Sequence, residues 1–169
     1  VLGFFRRLGN VDELWNFTFG NNMAMGLVPY RDFNLLQTPL FAMLHGLALG
    51  VFGRELLVTR MLGALLFAII CYLLYLFSEQ MEVKGCGRLV LPLVFLLCFD
   101  YNVFYEYSCS ILAVQLFSMY RDVRFVRQRI STEQYFSVRY QLVTGLFAGA
   151  AIMCKQTFGG FVALAAWCS

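Results

Sequence analysis

The stretch "MLGALLFAIICYLLYLF", Met61–Phe77, decides the fold class of this chain because it contains no charged side chain. Extended to about Glu55–Ser78, it reaches the roughly 20 apolar residues that a helix needs to cross the hydrocarbon core of a bilayer. The sequence therefore predicts a membrane-spanning helix here. The segments on either side are assigned to loops or further spans relative to this helix.

The composition points to the same class of protein. Of the 169 residues, 60% are hydrophobic and 14% are charged, whereas soluble domains carry about 25% charged residues. A short soluble domain has too much surface for its volume to hide so many apolar side chains. The net charge of +3 is too small to indicate a nucleic-acid partner. The cysteines form no Cys-x-x-Cys pair, so neither a zinc site nor a redox motif is indicated.

Further apolar segments predict an all-α, polytopic bundle of transmembrane helices. The expected spans are about 55–78, 89–101, 106–120, 140–154 and 156–169, joined by polar loops at 79–88 and 121–139. Residues 1–55 are expected to form an outer loop with juxtamembrane helices, one of them at Val11–Met25. Both ends look cut, so we expect an N-terminal fragment of a longer membrane protein.

The loop 121–139 orients this bundle because it carries Arg121, Arg124, Arg127, Arg129 and Arg139. Loops rich in arginine and lysine remain in the cytoplasm. Counting spans from that loop also places 79–88 inside. The same count brings four charged residues to the outer membrane face, namely Asp12, Glu13, Glu106 and Lys155.

One segment, Phe33–Gly53, leaves two interpretations open. It is uncharged and long enough to span, which would move Asp12 to the side opposite Glu106. Alternatively it contains a helix that lies along the outer membrane surface. Its polar first half and its glycines favour the surface helix. The polar or helix-breaking positions are Gln37, Thr38, Pro39, His45, Gly46, Gly50 and Gly53.

The adjacent acids Asp12 and Glu13 have two interpretations. Acids in the first turn of a helix interact favourably with its dipole, which would make the pair structural. Consecutive residues on a helix diverge by about 100°, so one acid can face a pocket while the other holds structure. His45 is the one histidine of the chain, and its apolar surroundings favour a packed side chain over a catalytic one.

The remaining charged candidates also allow a structural and a functional interpretation. Lys155 and Glu106 stand alone within apolar segments, where ionisable residues are costly and indicate function. Arg60 either extends to the lipid headgroups or contacts an anion. Arg31 either pairs with the neighbouring Asp32 on the surface or binds substrate.

The order of these residues resembles a known family. The stretch "VDELWNFTFGNNMAMGLVPYRDFNLLQTPLFAMLHGLALGVFGRELLVTRMLGALL" is similar to the first outer loop of GT-C polytopic membrane glycosyltransferases, in the family 39 / RgtA-B-C-D-like group. That group is related to protein O-mannosyltransferases and to the lipid A aminoarabinose transferase. The resemblance rests on Asp12-Glu13, Gly26, Pro29-Tyr30, Asp32-Phe33, Pro39-Leu40, Phe52-Gly53 and Arg60. "YEYS" resembles the second acidic site, and "GLFAGAAIMCKQTFGG" resembles a later helix, with Lys155-Gln156.

The resemblance implies an enzyme that moves a sugar from a polyprenyl-phosphate donor to a hydroxyl of a glycan, lipid or protein acceptor. It implies that Asp12 is the catalytic base beside Glu13, and that the reaction inverts the anomeric carbon. Lys155, with Arg60 second, would stabilise the leaving phosphate. Glu106 would orient the acceptor or share a divalent metal with Glu13. Arg31 and Gln156 complete the expected substrate-binding residues.

The resemblance also implies a multi-pass protein of a cell membrane, bacterial rather than endoplasmic reticulum, with its active face outward. Two other classes remain open from the sequence. In a transporter or flippase of a lipid-linked or anionic substrate, Lys155 and Glu106 would line the pathway. Inverted repeats would indicate such a transporter, and these residues contain none. In a non-catalytic membrane scaffold, the charges would share a face by coincidence.

Overall fold

The computed structural model describes residues 11–98, 112–114, 116, 138–157, 159–161 and 164. These residues form helices and turns, without a β-strand among them, which confirms the all-α prediction for this part of the chain. A 3-10 turn at Gly85–Leu89 leads directly into the fourth of the five α-helices whose bounds are defined within the described residues. The helices are α1 (Val11–Ala24), α2 (Leu40–Phe52), α3 (Leu56–Gln80), α4 (Val90–Cys98) and α5 (Val138–Cys154).

Helix α3 covers the segment for which the sequence predicts a membrane span. Its 25 residues measure about 37 Å at about 1.5 Å per residue, more than the roughly 30 Å of a hydrocarbon core. Only 22% of its most apolar window is buried inside the molecule, so most of that window faces outward. Among the described residues it is the one helix long and apolar enough to cross a membrane.

Segment Phe33–Gly53 is not a single helix. Residues 33–39 belong to a connecting loop, and α2 contains 13 residues, or about 20 Å of helix. Because this is shorter than the hydrocarbon core, its length argues against a span and agrees with the surface interpretation. Pro39 directly precedes the first residue of α2, and because a proline disfavours helical conformation in the residue before it, the helix does not extend back to Thr38.

The loop between α1 and α2 is held by its own hydrogen bonds. Asp32 Oδ2 accepts from the backbone amide of Val28 at 2.8 Å, and the Tyr30 hydroxyl donates to the Gln37 carbonyl at 2.5 Å. Gly26 has φ +82° and Tyr30 has φ 66°, so the chain turns in the left-handed region twice. Gly26 follows α1 closely, and a glycine there ends a helix without steric cost.

Helices α1 and α2 pack closely because glycines face each other between them. A Cβ atom added at Gly20 would lie 2.7 Å from the ring of His45. A Cβ atom at Gly46 would lie 2.5 Å from the Cβ atom of Met23 and 3.1 Å from the Gly20 carbonyl oxygen. Only a hydrogen atom fits at either position, so these glycines set the separation of the two helices.

Helix α4 folds back along α3 and buries an aromatic contact. The rings of Phe67 and Phe95 lie 4.7 Å apart, and Ile70 is fully buried beside Phe95. The turn between the helices is fixed by Arg88, which pairs with Glu79 at 2.9 Å and donates to the Val83 carbonyl. The partly buried residues around this cluster are Leu66, Phe67, Cys71, Leu74, Leu112, Ala113 and Leu116.

Helix α5 contacts α2 and ends at Cys154, directly before Lys155. The helical hydrogen bonds continue through this point, from the Lys155 amide to Ala151 and from the Gly159 amide to Lys155. Gly159 lies against the backbone of Ile152, where a Cβ atom would not fit. The expected spans at 106–120 and 156–169 lie largely outside the described residues.

Candidate functional site

A largely buried ion pair, with Arg60 buried and Glu13 partly buried, joins the first turn of α1 to the start of α3. The Nε atom of Arg60 donates to Glu13 Oε1 at 2.8 Å, and the Nη2 atom donates to Oε2 at 3.3 Å. The side chains are 9% and 16% exposed respectively. Removing one partner of such a pair costs about 3–5 kcal/mol because the other charge is left buried. Arg60 therefore holds α1 and does not extend to the headgroups.

Asp12 lies next to Glu13 in the first turn of α1 and is half-buried. The described residues provide it with no hydrogen bond or ion pair. The two acids therefore differ in their contacts, which is possible because consecutive residues of a helix point in different directions. Glu13 holds structure through Arg60, whereas Asp12 has no such partner within the described ranges.

His45 lies fully buried between α1, α2 and α3. Its Nε2 atom is 2.7 Å from the hydroxyl oxygen of Thr59, and its ring lies 5.6 Å from the ring of Phe41. The Nδ1 atom has no well-formed hydrogen bond within the described part of the chain. Burial lowers the pKa of His45 to about 4, against a smaller opposing effect of the Asn16 backbone. The ring is neutral near pH 7, and the predicted packed role is confirmed.

Thr59 is the residue of this site that sequence reasoning missed. It is fully buried and directly precedes Arg60. The available signal was two consecutive polar residues at the start of an otherwise apolar run. A threonine alone at such a position gives no indication of its partner, because the partner His45 lies 14 residues away on another helix.

The other predicted site residues lie outside this cluster or outside the described residues. Arg31 is 71% exposed and pairs with Asp32 at 2.8 Å, which confirms the predicted surface pair. This pairing lowers the pKa of Asp32 and raises that of Arg31. Gln156 is exposed and Lys155 is half-buried. Glu106 lies outside the described residues, so its convergence with Asp12 and Lys155 stays a prediction.

The expected divalent-metal site finds little support in the side chains that are described. Both carboxylate oxygens of Glu13 accept hydrogen bonds from Arg60, which leaves them poorly placed to bind a cation. Within the described ranges no three His, Cys, Asp or Glu side chains lie close enough together to hold a metal. Glu13 is engaged in an ion pair, and a metal shared with Glu106 stays a prediction because Glu106 lies outside the described residues.

Comparisons of the chain with family models, with curated proteins and with solved structures give no match in any of the three. The resemblance to GT-C glycosyltransferases rests on the residues quoted above alone. The arrangement of Asp12, Glu13 and Arg60 is the part of the described structure that bears on that resemblance.

Proposed function

We propose that the chain is part of a membrane glycosyltransferase that uses a polyprenyl-phosphate sugar donor. One observation carries the proposal: the two acids have different contacts. Glu13 is bound by Arg60, whereas Asp12, at the start of α1, has no partner among the described residues. A general base must have a carboxylate oxygen free to accept a proton from its substrate. Asp12 meets this requirement, and the neighbouring helix α3 is apolar enough to bring the site to a membrane.

In the proposed reaction, Asp12 accepts the proton of an acceptor hydroxyl. The hydroxyl oxygen forms a bond to the anomeric carbon of the sugar as the bond from that carbon to the phosphate oxygen breaks. The electron pair of the broken bond leaves with the polyprenyl phosphate. Because the attack is direct, the configuration at the anomeric carbon inverts.

The leaving phosphate gains negative charge during this step and requires a fixed cation nearby. Arg60 is committed to Glu13, so it is a poor candidate for that role. Lys155 is the proposed cation, since it interrupts the apolar sequence beyond α5 and is half-buried. Glu106 remains the proposed contact for the acceptor.

The proposed topology places α1, α2 and their loop on the outer face of a multi-pass protein. The Glu13–Arg60 pair supports this arrangement because Arg60 lies near the outer end of α3. Both partners of an ion pair must be on the same side of the bilayer. The segment between them therefore crosses the membrane an even number of times or not at all, and α2 is too short to cross.

The test is sugar transfer by the full-length protein in defined lipid, with a labelled polyprenyl-phosphate donor. We expect Asp12→Asn to lower turnover by about two to four orders of magnitude, as loss of a general base does. Donor binding and the Tm should remain at the wild-type values, because Asp12 has no structural partner among the described residues. Glu55→Gln, which changes an exposed acid on the same side, is the matched control.

Equal transfer by wild type and Asp12→Asn would refute Asp12 as the base and return it to a helix-start role. Glu13→Gln separates structure from chemistry, since it leaves Arg60 buried without its partner and should lower the Tm. Absence of transfer by the wild type from every donor tried, together with uptake of a lipid-linked substrate, would favour the transporter hypothesis.

A further inference from the structure

Two consecutive residues of α3 bind two different helices. Thr59 contacts His45 of α2, with 2.7 Å between the hydroxyl oxygen and Nε2. Arg60 binds Glu13 of α1, with 2.8 Å between Nε and Oε1. Both α3 residues are buried. A single turn at the start of α3 therefore carries the polar contacts to α1 and to α2.

His45 of α2 contacts both α1 and α3, so each of the three helices touches the other two. Its imidazole lies so close to Gly20 of α1 that a Cβ atom there would be 2.7 Å from the ring. The same imidazole reaches Thr59 of α3 through Nε2. Close-packed interiors transmit displacements between neighbouring elements. A shift of His45 must therefore move α1, α3 or both.

We propose that His45 is a positioning residue for the acid pair, acting through Thr59 on the rotation of α3. The rotation that brings Thr59 to His45 also directs Arg60 toward Glu13, because consecutive residues are separated by about 100° around a helix. With Glu13 held by Arg60, the orientation of the first turn of α1 is fixed. The orientation of Asp12, which lies in the same turn, is thereby fixed as well.

The catalytic consequence rests on the proposed function, whereas the coupling between the three helices does not. A purely local role for the His45–Thr59 contact would affect α1 only through the contact of His45 with Gly20, independently of the Glu13–Arg60 pair. A positioning role requires that loss of the contact loosens α1, although neither His45 nor Thr59 belongs to α1. The two roles therefore differ in whether the effect on α1 depends on the Glu13–Arg60 pair.

The experiment is hydrogen–deuterium exchange on the full-length protein in lipid nanodiscs. Thr59→Val keeps the shape of the side chain and removes the hydroxyl, and Thr59→Ser retains the hydroxyl as the matched control. We expect amide exchange at residues 15–20 of α1 to be about tenfold faster in Thr59→Val, as loss of a buried hydrogen bond predicts. Thr59→Ser should exchange at the wild-type rate.

Glu13→Gln provides the test of coupling. This variant alone should also accelerate exchange at residues 15–20, and adding Thr59→Val should then accelerate it no further. Faster exchange confined to α2 and α3, or independent additive effects of the two substitutions, would overturn the proposal. If Thr59→Val does not fold, His45→Gln, which retains a polar partner for Thr59, and His45→Leu provide the same comparison.

Kinetics of sugar transfer distinguish this proposal from the proposed function. Thr59→Val should lower kcat per folded molecule without raising KM for the donor, since it displaces the base and not the donor site. If the wild-type protein transfers sugar but Thr59→Val leaves kcat and α1 exchange unchanged, the positioning role fails and the enzyme remains. If no sugar is transferred but the exchange results hold, the proposed function fails and the coupling of the helices stands.

Discussion

At the residue scale, His45 makes the stability of the three-helix junction depend on pH. The buried ring has a pKa of about 4, and its ordinary value is 6.5. Between these values the unfolded chain binds a proton that the folded chain excludes. The free energy of unfolding therefore falls as the pH drops from 6.5 toward 4, and this loss is absent above pH 6.5.

We expect the wild type to lose on the order of 3 kcal/mol more stability over this pH range than His45→Gln, since one pKa unit corresponds to about 1.4 kcal/mol. Glutamine does not titrate and retains a polar partner for Thr59. The measurement is denaturant unfolding of both proteins in detergent at several pH values. Comparing the two proteins removes the contribution of other titrating groups. Parallel curves of unfolding free energy against pH would contradict the predicted effect of His45.

Helix geometry predicts that Asp12 and Glu13 face different ways but not which of them has a structural partner, and only the family resemblance assigns the proposed chemistry to Asp12. The choice depends on Arg60, which is 47 residues away from Glu13. Nothing in the spacing of residues within α1 contains that information. The sequence also left Arg60 with two interpretations, because a helix-start arginine looks the same whether it extends to lipid or turns to a carboxylate.

At the scale of elements, the contact of α1 with α2 depends on glycine. We expect Gly46→Ala to be destabilising by about 1–3 kcal/mol, as an overpacked contact is, because its Cβ atom would meet Met23 at 2.5 Å. Gly50 lies on the same helix with open space around it. There the substitution to alanine should stabilise the protein by up to about 1 kcal/mol through helix propensity.

Thermal unfolding of the two alanine variants beside the wild type provides the measurement. The expected order of Tm is Gly50→Ala highest, wild type next and Gly46→Ala lowest. Equal Tm values for the two variants would mean that α1 and α2 are not in close contact at Gly46.

Periodicity and composition predict α1 and α3 well because each element has a clear beginning and end. Val11–Met25 and about 55–78 were expected, and Val11–Ala24 and Leu56–Gln80 are observed. The segment at Phe33–Gly53 was harder. Its residues 33–39 are uncharged but are held by loop hydrogen bonds such as that of Tyr30 to Gln37, and hydropathy alone does not detect such bonds.

At the scale of the whole molecule, the proposed topology predicts which positions share a side of the membrane. Val11 and Arg54 are exposed and belong to the outer side, whereas Cys86 is exposed in the loop after α3 and belongs to the inner side. We expect a membrane-impermeant maleimide to label Val11→Cys and Arg54→Cys in intact cells. Cys86 should be labelled only after the membrane is permeabilised.

Each labelling experiment uses a full-length protein in which the other cysteines are replaced by alanine. Labelling of Val11→Cys and Arg54→Cys on opposite sides would contradict the Glu13–Arg60 ion pair in the membrane. Labelling of Cys86 in intact cells would instead invert the proposed orientation and leave the pair intact. The first outcome therefore tests the ion pair, and the second tests the orientation of the whole protein in the membrane.

The Glu13–Arg60 pair also has a consequence for the order in which the protein is made. Translation proceeds from the N-terminus, and Arg60 follows Glu13 by 47 residues. At about 5–20 residues per second, the ribosome completes Arg60 roughly 2 to 9 seconds after Glu13. During this interval the Glu13 carboxylate cannot yet pair with Arg60. The ion pair forms only after the start of α3 has been synthesised, so a nascent chain that stops before Arg60 never assembles it.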